Sequence, residues 1–349
     1  MRDTGDNLFV SVRGRVLINV EALNMTESVG NYVKHRRVPV ISPTTYNTYF
    51  VPAISGESIA HGFQNILASR ANPVCKFCKR GIFLKSTTFD IIKESFGISD
   101  IKAWLKETIR EEITDENIHE ALEKAIVTNC VVEDVGGFML AEKQLRFKRE
   151  EEEEEKKEEE LTEEEGEKKR GKKKKEKEGL TIGSFRRTSC FSTGYMIPTK
   201  EAIESIVIEP QLHTRFVQGM PYNWQQKYQI PYYIELSSAP YTFSFDLDTK
   251  YIGKFTFSCR KAGTLIVEDE KERENRIKTS LTSLEDLLVE MMFGAKKTRF
   301  LPVIDWESII IALSDDIWTI PSSLTANYIT NTLNKLNNTN TVSYTHLRA

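Results

Sequence analysis

The chain has 349 residues, 40% of them hydrophobic and 10% aromatic, enough to bury a sizeable core as one elaborated domain or two. No run of about 20 apolar residues occurs, which excludes a membrane-spanning helix, and five cysteines in so long a chain argue against a disulfide framework and fit a reducing compartment. The formal charge of −3 hides one local feature: residues 148–178 hold 12 of the 48 basic and 15 of the 51 acidic side chains, leaving 36 of each elsewhere, so any polyanion contact must rest on clustering.

The opening MRDTGDNLFVSVRGRV alternates charged and apolar residues and lacks a continuous apolar segment with a cleavage site, so no secretory leader is expected and the location follows as cytoplasmic. Leu8 to Glu21 is rich in β-branched residues in alternation and reads as a half-buried strand. In GNYVKHRRVPVI, Lys34, His35, Arg36 and Arg37 form a basic knot, after which Val38, Val40 and Ile41 are expected to return the chain to the core. NTYFVPAI reads as extended chain. From Ser55 to Ala71 a helix is predicted, with Ser55 as N-cap, Glu57 and Ser58 in the first turn, and Ile59, Phe63, Ile66 and Leu67 as its apolar stripe. Its start, Ser55-Gly56-Glu57-Ser58, presents backbone N–H groups to an anion or is an ordinary cap; Glu57 opposes the first use by its charge. His61, one turn in, either faces RNA or packs, and packing is the preferred reading.

Residues 98–127 are more weakly helical, through Ile101, Leu105, Ile109, Ile113, Ile118, Leu122 and Ile126. The charged run that follows has almost no apolar residues, so it buries no core and reads as a surface insertion, solvated helix or disordered; an interaction arm ending in Lys172 to Lys175 is the alternative. Arg186 and Arg187 form a second basic pair. In EPQLHTRF a strand would place His213 and Arg215 on one face. VQGMPYNWQQKYQIP suits a projecting loop, with Met220, Tyr222 and Trp224 as wedges or stacking surfaces or, equally, as cover for a neighbouring chain, and Lys227 as its one cation. PYYIELSSAPYTFSFDLDTKYIGKFTFSC holds at least two strands, residues 273–293 an amphipathic helix through Ile277, Leu281, Leu284, Leu288 and Met291, and FLPVIDWESIIIAL an extended or mixed element. The terminal NNTNTVSYTHLRA reads as a disordered tail or a foreign extension and is left out of the fold. The order of elements is α+β, without an internal repeat.

Several of these blocks, GNYVKHRRVPV, VPAISGESIAHGFQ, PVCKFC, VVEDVGGF, RRTSCFSTGYMIP, EPQLHTRF and YTFSFDLD, together resemble the backbone subunit of archaeal-type (type I-A) CRISPR Cascade, the DevR-like family of the repeat-associated mysterious protein (RAMP) superfamily. The resemblance covers roughly residues 8–313 apart from the charged run. It implies an RRM-like (ferredoxin-like) palm with large finger and thumb insertions, divided as 1–147 for the first part of the palm plus finger, 148–179 for the charged insertion, 180–232 for the thumb, 233–315 for the rest of the palm and 316–349 for the tail. It also implies a function: copies stack head to tail on guide RNA, gripping phosphate and ribose and leaving bases free to pair with target DNA. The implied partners are the guide, further copies, other Cascade subunits and, through the guide, target DNA.

On this reading the RNA contacts are Lys34, His35, Arg36, Arg37, Ser55, Gly56, Ser58, Arg186, Arg187, His213, Arg215, Met220 and Lys227, with Arg36 and Arg37 making forked bonds to phosphate and His213 carried over from a family histidine implicated in RNA binding. The alternatives at each are a solvated loop, a plain cap and a partly buried structural histidine. No cofactor is expected. Cys75 and Cys78 are the only CxxC and half of a zinc site, which Cys130, Cys190, Cys259, His61 or His119 would have to complete; a reduced structural pair is the other reading. An endoribonuclease using Asp3, Asp6, His35 or His213 is a second class of function, but no paired carboxylates or nucleophile motif marks a site. A regulator that uses the same fold without a guide is a third.

Overall fold

The computed structural model describes residues 7–110, 114–141, 146–147, 180–181, 184–216, 229–338 and 342–348. In chain order they form β1 (Phe9–Glu21), β2 (Met25–Val29), β3 (Tyr32–His35), β4 (Arg37–Ile41), β5 (Thr48–Pro52), α1 (Gly56–Arg70), α2 (Phe89–Phe96), α3 (Ile101–Thr108), α4 (Asp115–Asn129) and α5 (Val131–Gly136). There follow β6 (Phe138–Leu140), β7 (Arg146–Phe147), β8 (Leu180–Thr181), β9 (Phe185–Arg187), β10 (Phe191–Thr193), β11 (Ile208–Phe216), β12 (Gln229–Asp248), α6 (Glu270–Glu290), β13 (Val303–Ser314), α7 (Tyr328–Asn337) and β14 (Val342–Arg348). The protein is mixed α/β and divides into two compact units, one of Met1–Ala71, Cys190–Ile252 and Glu274–Ala349, the other of Asn72–Ser189 and Gly253–Arg273. Among the described residues no helix is long and apolar enough to cross a membrane.

The first unit is built on a mixed sheet of order β14-β13-β1-β12-β3-β2, with β10 and β11 also paired to β12. β1 is not half-buried as expected but central, antiparallel to both β12 and β13 and buried along most of its length. The polar residues that produced its alternation are paired inside: Arg13 forks onto Asp246 with both contacts at 2.8 Å, and Arg15 reaches Glu201 at 2.9 Å and Glu307 at 3.0 Å. The segment expected to hold two strands contributes a single 20-residue strand, β12, whose first part pairs with β11 and whose second part pairs with β1. Apart from intervening segments, β1, α1, β10, β12, α6 and β13 follow one another as strand, helix, two strands, helix and strand, and the strands lie antiparallel in the order β13-β1-β12-β10. Phe63 of α1 meets Phe191 and Phe245 edge-on at 4.8 and 5.0 Å, Trp306 of β13 donates to the Leu288 carbonyl of α6 at 3.0 Å, and Arg70 pairs with Asp286 between the two helices.

The expected tail is part of this unit. Trp318, Ile320 and Tyr328 are buried against Ile310 and Ala312, and β14 extends the sheet by pairing antiparallel with β13. Sparse polar sequence hid both, since an edge strand needs only backbone partners and a short helix buries only one stripe.

In the second unit the weak helix over 98–127 is two helices. Asp100 caps α3 through the Lys102 N–H at 2.8 Å and Thr114 caps α4 through the Asn117 N–H at 3.3 Å. Ile101, Leu105, Ile118, Leu122 and Ile126 are buried as expected, with Phe138 and Phe185 of the β6–β9 pair; Ile109 is half-buried, and Ile113 lies outside the described residues. The charged run 148–178 also lies outside them, but the chain leaves and returns through the antiparallel pair β7–β8 on either side of it.

Candidate nucleic-acid interface

The four basic residues of the knot diverge. β3 runs parallel to β12 through Tyr32↔Tyr233 and Val33↔Ile234, and His35 at its end points into the fold. His35 Nε2 lies 2.5 Å from Glu21 Oε1 and Nδ1 lies 3.0 Å from the Arg36 carbonyl oxygen; both neighbours accept, so the ring is held as imidazolium. Burial pushes His35 down, but the hydrogen bond and charge of Glu21, with the Arg36 carbonyl and the charge of Glu235, hold the ring above its ordinary pKa. Burial likewise pushes Glu21 up, but the hydrogen bond and charge of His35, together with the hydrogen bonds from Ser237 and the Leu23 N–H, leave the carboxyl below its ordinary range. Glu21 also accepts from Ser237 at 2.6 Å, Tyr241 at 2.9 Å and the Leu23 N–H at 2.8 Å. RNA contact by His35 is therefore corrected: its side chain has no exposed surface.

Arg37 is exposed at its end but donates at 2.6 Å to Glu235, a buried carboxylate that also takes the His35 N–H at 2.7 Å and the Tyr32 hydroxyl at 3.1 Å. Arg36 differs. Its Nε donates to Asn24 Oδ1 at 2.5 Å and its Nη1 to the Tyr195 hydroxyl at 3.3 Å, both neutral, and among the described residues it has no carboxylate partner. Arg36 thus carries the unbalanced charge of the pair. Lys34 is half-buried on β3. Ile41 does not return to the core; it is 61% exposed on the β4–β5 hairpin, on the same face as Phe50 at 72%.

Asn24 links Arg36 to the start of α1, its Nδ2 donating to Ser55 Oγ at 3.4 Å. Ser55 is buried and its Oγ accepts the Ser58 N–H at 3.3 Å, so the hydroxyl serves the helix's own cap, with Ser58 half-buried beside it. Gly56 is buried because β10 crosses it: a Cβ there would stand 2.6 Å from the Thr193 carbonyl oxygen, and Thr193 Oγ1 donates to the Gly56 carbonyl at 2.8 Å. This geometry favours the plain cap at Ser55 and a close approach at Gly56 over an anion site. Gly56→Ala should cost roughly 1–3 kcal/mol by chemical denaturation, since backbone and not a flexible side chain must yield; an unchanged midpoint would contradict that packing.

Arg186 and Arg187 lie on β9, where alternation sends neighbours to opposite faces. Arg186 is exposed. Arg187 is buried, bonded to Asp134 Oδ1 at 2.6 Å and Glu123 Oε1 at 2.7 Å, and as a phosphate contact it is corrected to an internal ion network.

On β11, His213 stands opposite Tyr232 of β12. Its ring stacks on Tyr232 at 5.3 Å and meets Phe300 edge-on at 5.4 Å, while Nε2 is shielded and takes no hydrogen bond among the described residues. That is a packed, part-buried ring, which favours the structural-histidine reading of His213. Arg215 is exposed with its guanidinium 4.5 Å over the Tyr232 ring, whose hydroxyl accepts from exposed Arg299 at 3.1 Å. Tyr32 stacks on Tyr233 at 5.7 Å. Because Tyr232 and Tyr233 are successive strand residues, the Lys34 side and the Arg215 side occupy opposite faces of β12 and are not one surface. Met220 and Lys227, with Tyr222, Trp224, Asp3 and Asp6, lie outside the described residues. Sequence reasoning missed Tyr195, Tyr232 and Arg299; only tertiary pairing reveals them.

Cys75, Cys78 and Cys130 come together in the second unit, all buried, and their sulfurs are the group able to hold a metal among the described residues.

Residues 12–333 match the family described as "CRISPR-associated negative auto-regulator DevR/Csa2". Two proteins of Saccharolobus solfataricus are similar. "CRISPR-associated protein Cas7/Csa2 1" is 28% identical over 90% of this chain and 82% of its own length. "CRISPR-associated aCascade subunit Cas7/Csa2 2" is 31% identical over 86% of this chain and 78% of its own. A chain of the solved "CRISPR RNA-guided surveillance complex, pre-nicking" is 10% identical, with a TM-score of 0.40 over 90% of this chain and 78% of that one.

Proposed function

Since the chain belongs to the DevR/Csa2 family of CRISPR-associated proteins, we propose that it is the guide-RNA-binding backbone subunit of an archaeal-type Cascade interference complex. In this role copies polymerise head to tail along the guide, an open heterologous contact, and hold phosphate and ribose without reading base edges. The match across residues 12–333 to a family whose relatives include an aCascade subunit carries the reading. An RRM-like palm is supported by the strand-helix-strand-strand-helix-strand order and by the arrangement β13-β1-β12-β10. A structural rather than catalytic role is supported by two of the residues eligible for RNA cleavage, since His35 is bound to Glu21 and His213 packs against Tyr232 and Phe300, while Asp3 and Asp6 lie outside the described residues.

Arg36 is the principal phosphate contact, with Lys34, two residues before it in the same unit, as a further cation. Arg37 contributes less, because Glu235 already balances it. Purified protein should coat a repeat-spacer transcript without cutting it, and cleavage would favour the endoribonuclease reading. Arg36→Ala should weaken binding to unrelated guides about equally and reduce the slope of log affinity against log salt by roughly one unit, whereas Arg37→Ala should change the slope less. A loss confined to one guide sequence would contradict backbone recognition.

A further inference from the structure

We propose that Cys75, Cys78 and Cys130 bind a structural zinc ion in the second unit, beside the buried carboxyl of Glu133. The three sulfurs come from segments 55 residues apart and lie within 4.8 Å of one another, with Cys75 5% exposed, Cys78 1% and Cys130 0%. Two ligands of a tetrahedral zinc thiolate site stand about 3.8 Å apart for a Zn–S bond of about 2.3 Å, so the group needs to contract by no more than about an ångström.

Glu133 supplies an independent sign. It is fully buried, its Oε1 accepts from Cys78 Sγ and from the Leu84 N–H, each at 2.9 Å, and its Oε2 has no hydrogen-bond partner among the described residues. A buried carboxylate oxygen without a partner is costly in an apolar core, and a cation bound at the neighbouring sulfurs would compensate it. Backbone groups already turn toward the sulfurs as they do around metal-bound cysteine: the Cys75 N–H donates to Cys130 Sγ at 3.4 Å and the Cys78 N–H to Cys75 Sγ at 3.5 Å. Three soft sulfurs select zinc over magnesium or calcium. The ion would clamp the loop that carries the CxxC to the junction of α4 and α5, where the Val131 N–H already donates to the Pro73 carbonyl at 3.0 Å. The inference does not rest on the RNA-binding reading.

Full-length protein expressed with zinc in the medium and purified without chelators should carry about one zinc per chain by elemental mass spectrometry. Cys75→Ser, Cys78→Ser and Cys130→Ser should each lose it, while Cys259→Ala, at an exposed cysteine, should keep it. Because a ligand variant can lose metal by misfolding, cobalt(II) exchanged into the unaltered protein gives the second measurement, expected to show sulfur-to-cobalt charge transfer and the intense visible bands of a tetrahedral site. Folded protein with only traces of zinc, zinc retained in Cys130→Ser, weak octahedral cobalt bands, or a disulfide among the three cysteines would each overturn the proposal.

Discussion

Arg187→Met should cost about 3–5 kcal/mol of folding stability, while Arg186→Ala, one residue away, should stay within about 0.5 kcal/mol. The Arg187 side chain has no exposed surface, and besides its two carboxylates it donates to the carbonyl oxygens of Asp134 at 3.0 Å and Lys254 at 2.7 Å. Methionine fills much of the same volume, so the loss is chiefly electrostatic. Asp134 would keep the Gly253 N–H at 3.0 Å, and Glu123 the Thr256 N–H at 2.9 Å and hydroxyl at 2.8 Å, but both buried charges would lose their counter-ion. Arg187→Lys restores the charge without the fork and should recover only part of the loss. Denaturant midpoints measure the size, and hydrogen exchange should place the loss in α4 and β9. A variant that lost RNA binding at full stability would instead make Arg187 a phosphate contact and overturn the internal-network reading.

The contrast between these neighbours shows what the sequence could disclose. β1, α1, α6 and β13 were legible because their apolar residues recur at strand or helix spacing, and periodicity reports directly which face meets a core. Their lining was less legible. Arg13 and Arg15 looked like the solvated side of a strand, yet Asp246, Glu201 and Glu307, remote in sequence, bring them inside. The same limit governs the candidate interface. Charge density in VKHRR pointed to a cluster, but not that Glu21 and Glu235 engage His35 and Arg37 and leave Arg36 facing only neutral partners. In the second unit the CxxC was visible and Cys130 was one of several candidates to complete it. Glu133 carried no local signal, since a glutamate on a helix is ordinarily solvated.

His35→Gln should destabilise the first unit by about 3–5 kcal/mol near pH 6, because it removes the counter-ion of a carboxylate with no exposed surface. The pH dependence separates this electrostatic effect from a simple packing loss. His35 is raised above its ordinary 6.5, so its contribution is complete below pH 6.5 and fades as pH climbs through the higher folded value. Glu21 is lowered beneath its ordinary 4.5, so its contribution is complete above pH 4.5 and fades as pH falls through the lower folded value. The pair is therefore most stabilising between about pH 4.5 and 6.5, and the stability of the unaltered protein should decline on the alkaline side of that window. Glu21→Gln combined with His35→Gln should lack the decline; an identical slope in both proteins would remove the pair as its source. His35 also bears on RNA without touching it, since its ring binds the Arg36 carbonyl and its N–H binds the carboxylate that holds Arg37. It is a positioning residue. At a pH where His35→Gln remains folded, guide affinity should fall while the salt slope stays that of the unaltered protein, because no phosphate contact is deleted; Arg36→Ala lowers both, and a reduced slope in His35→Gln would mean that the ring itself carries charge to the phosphate.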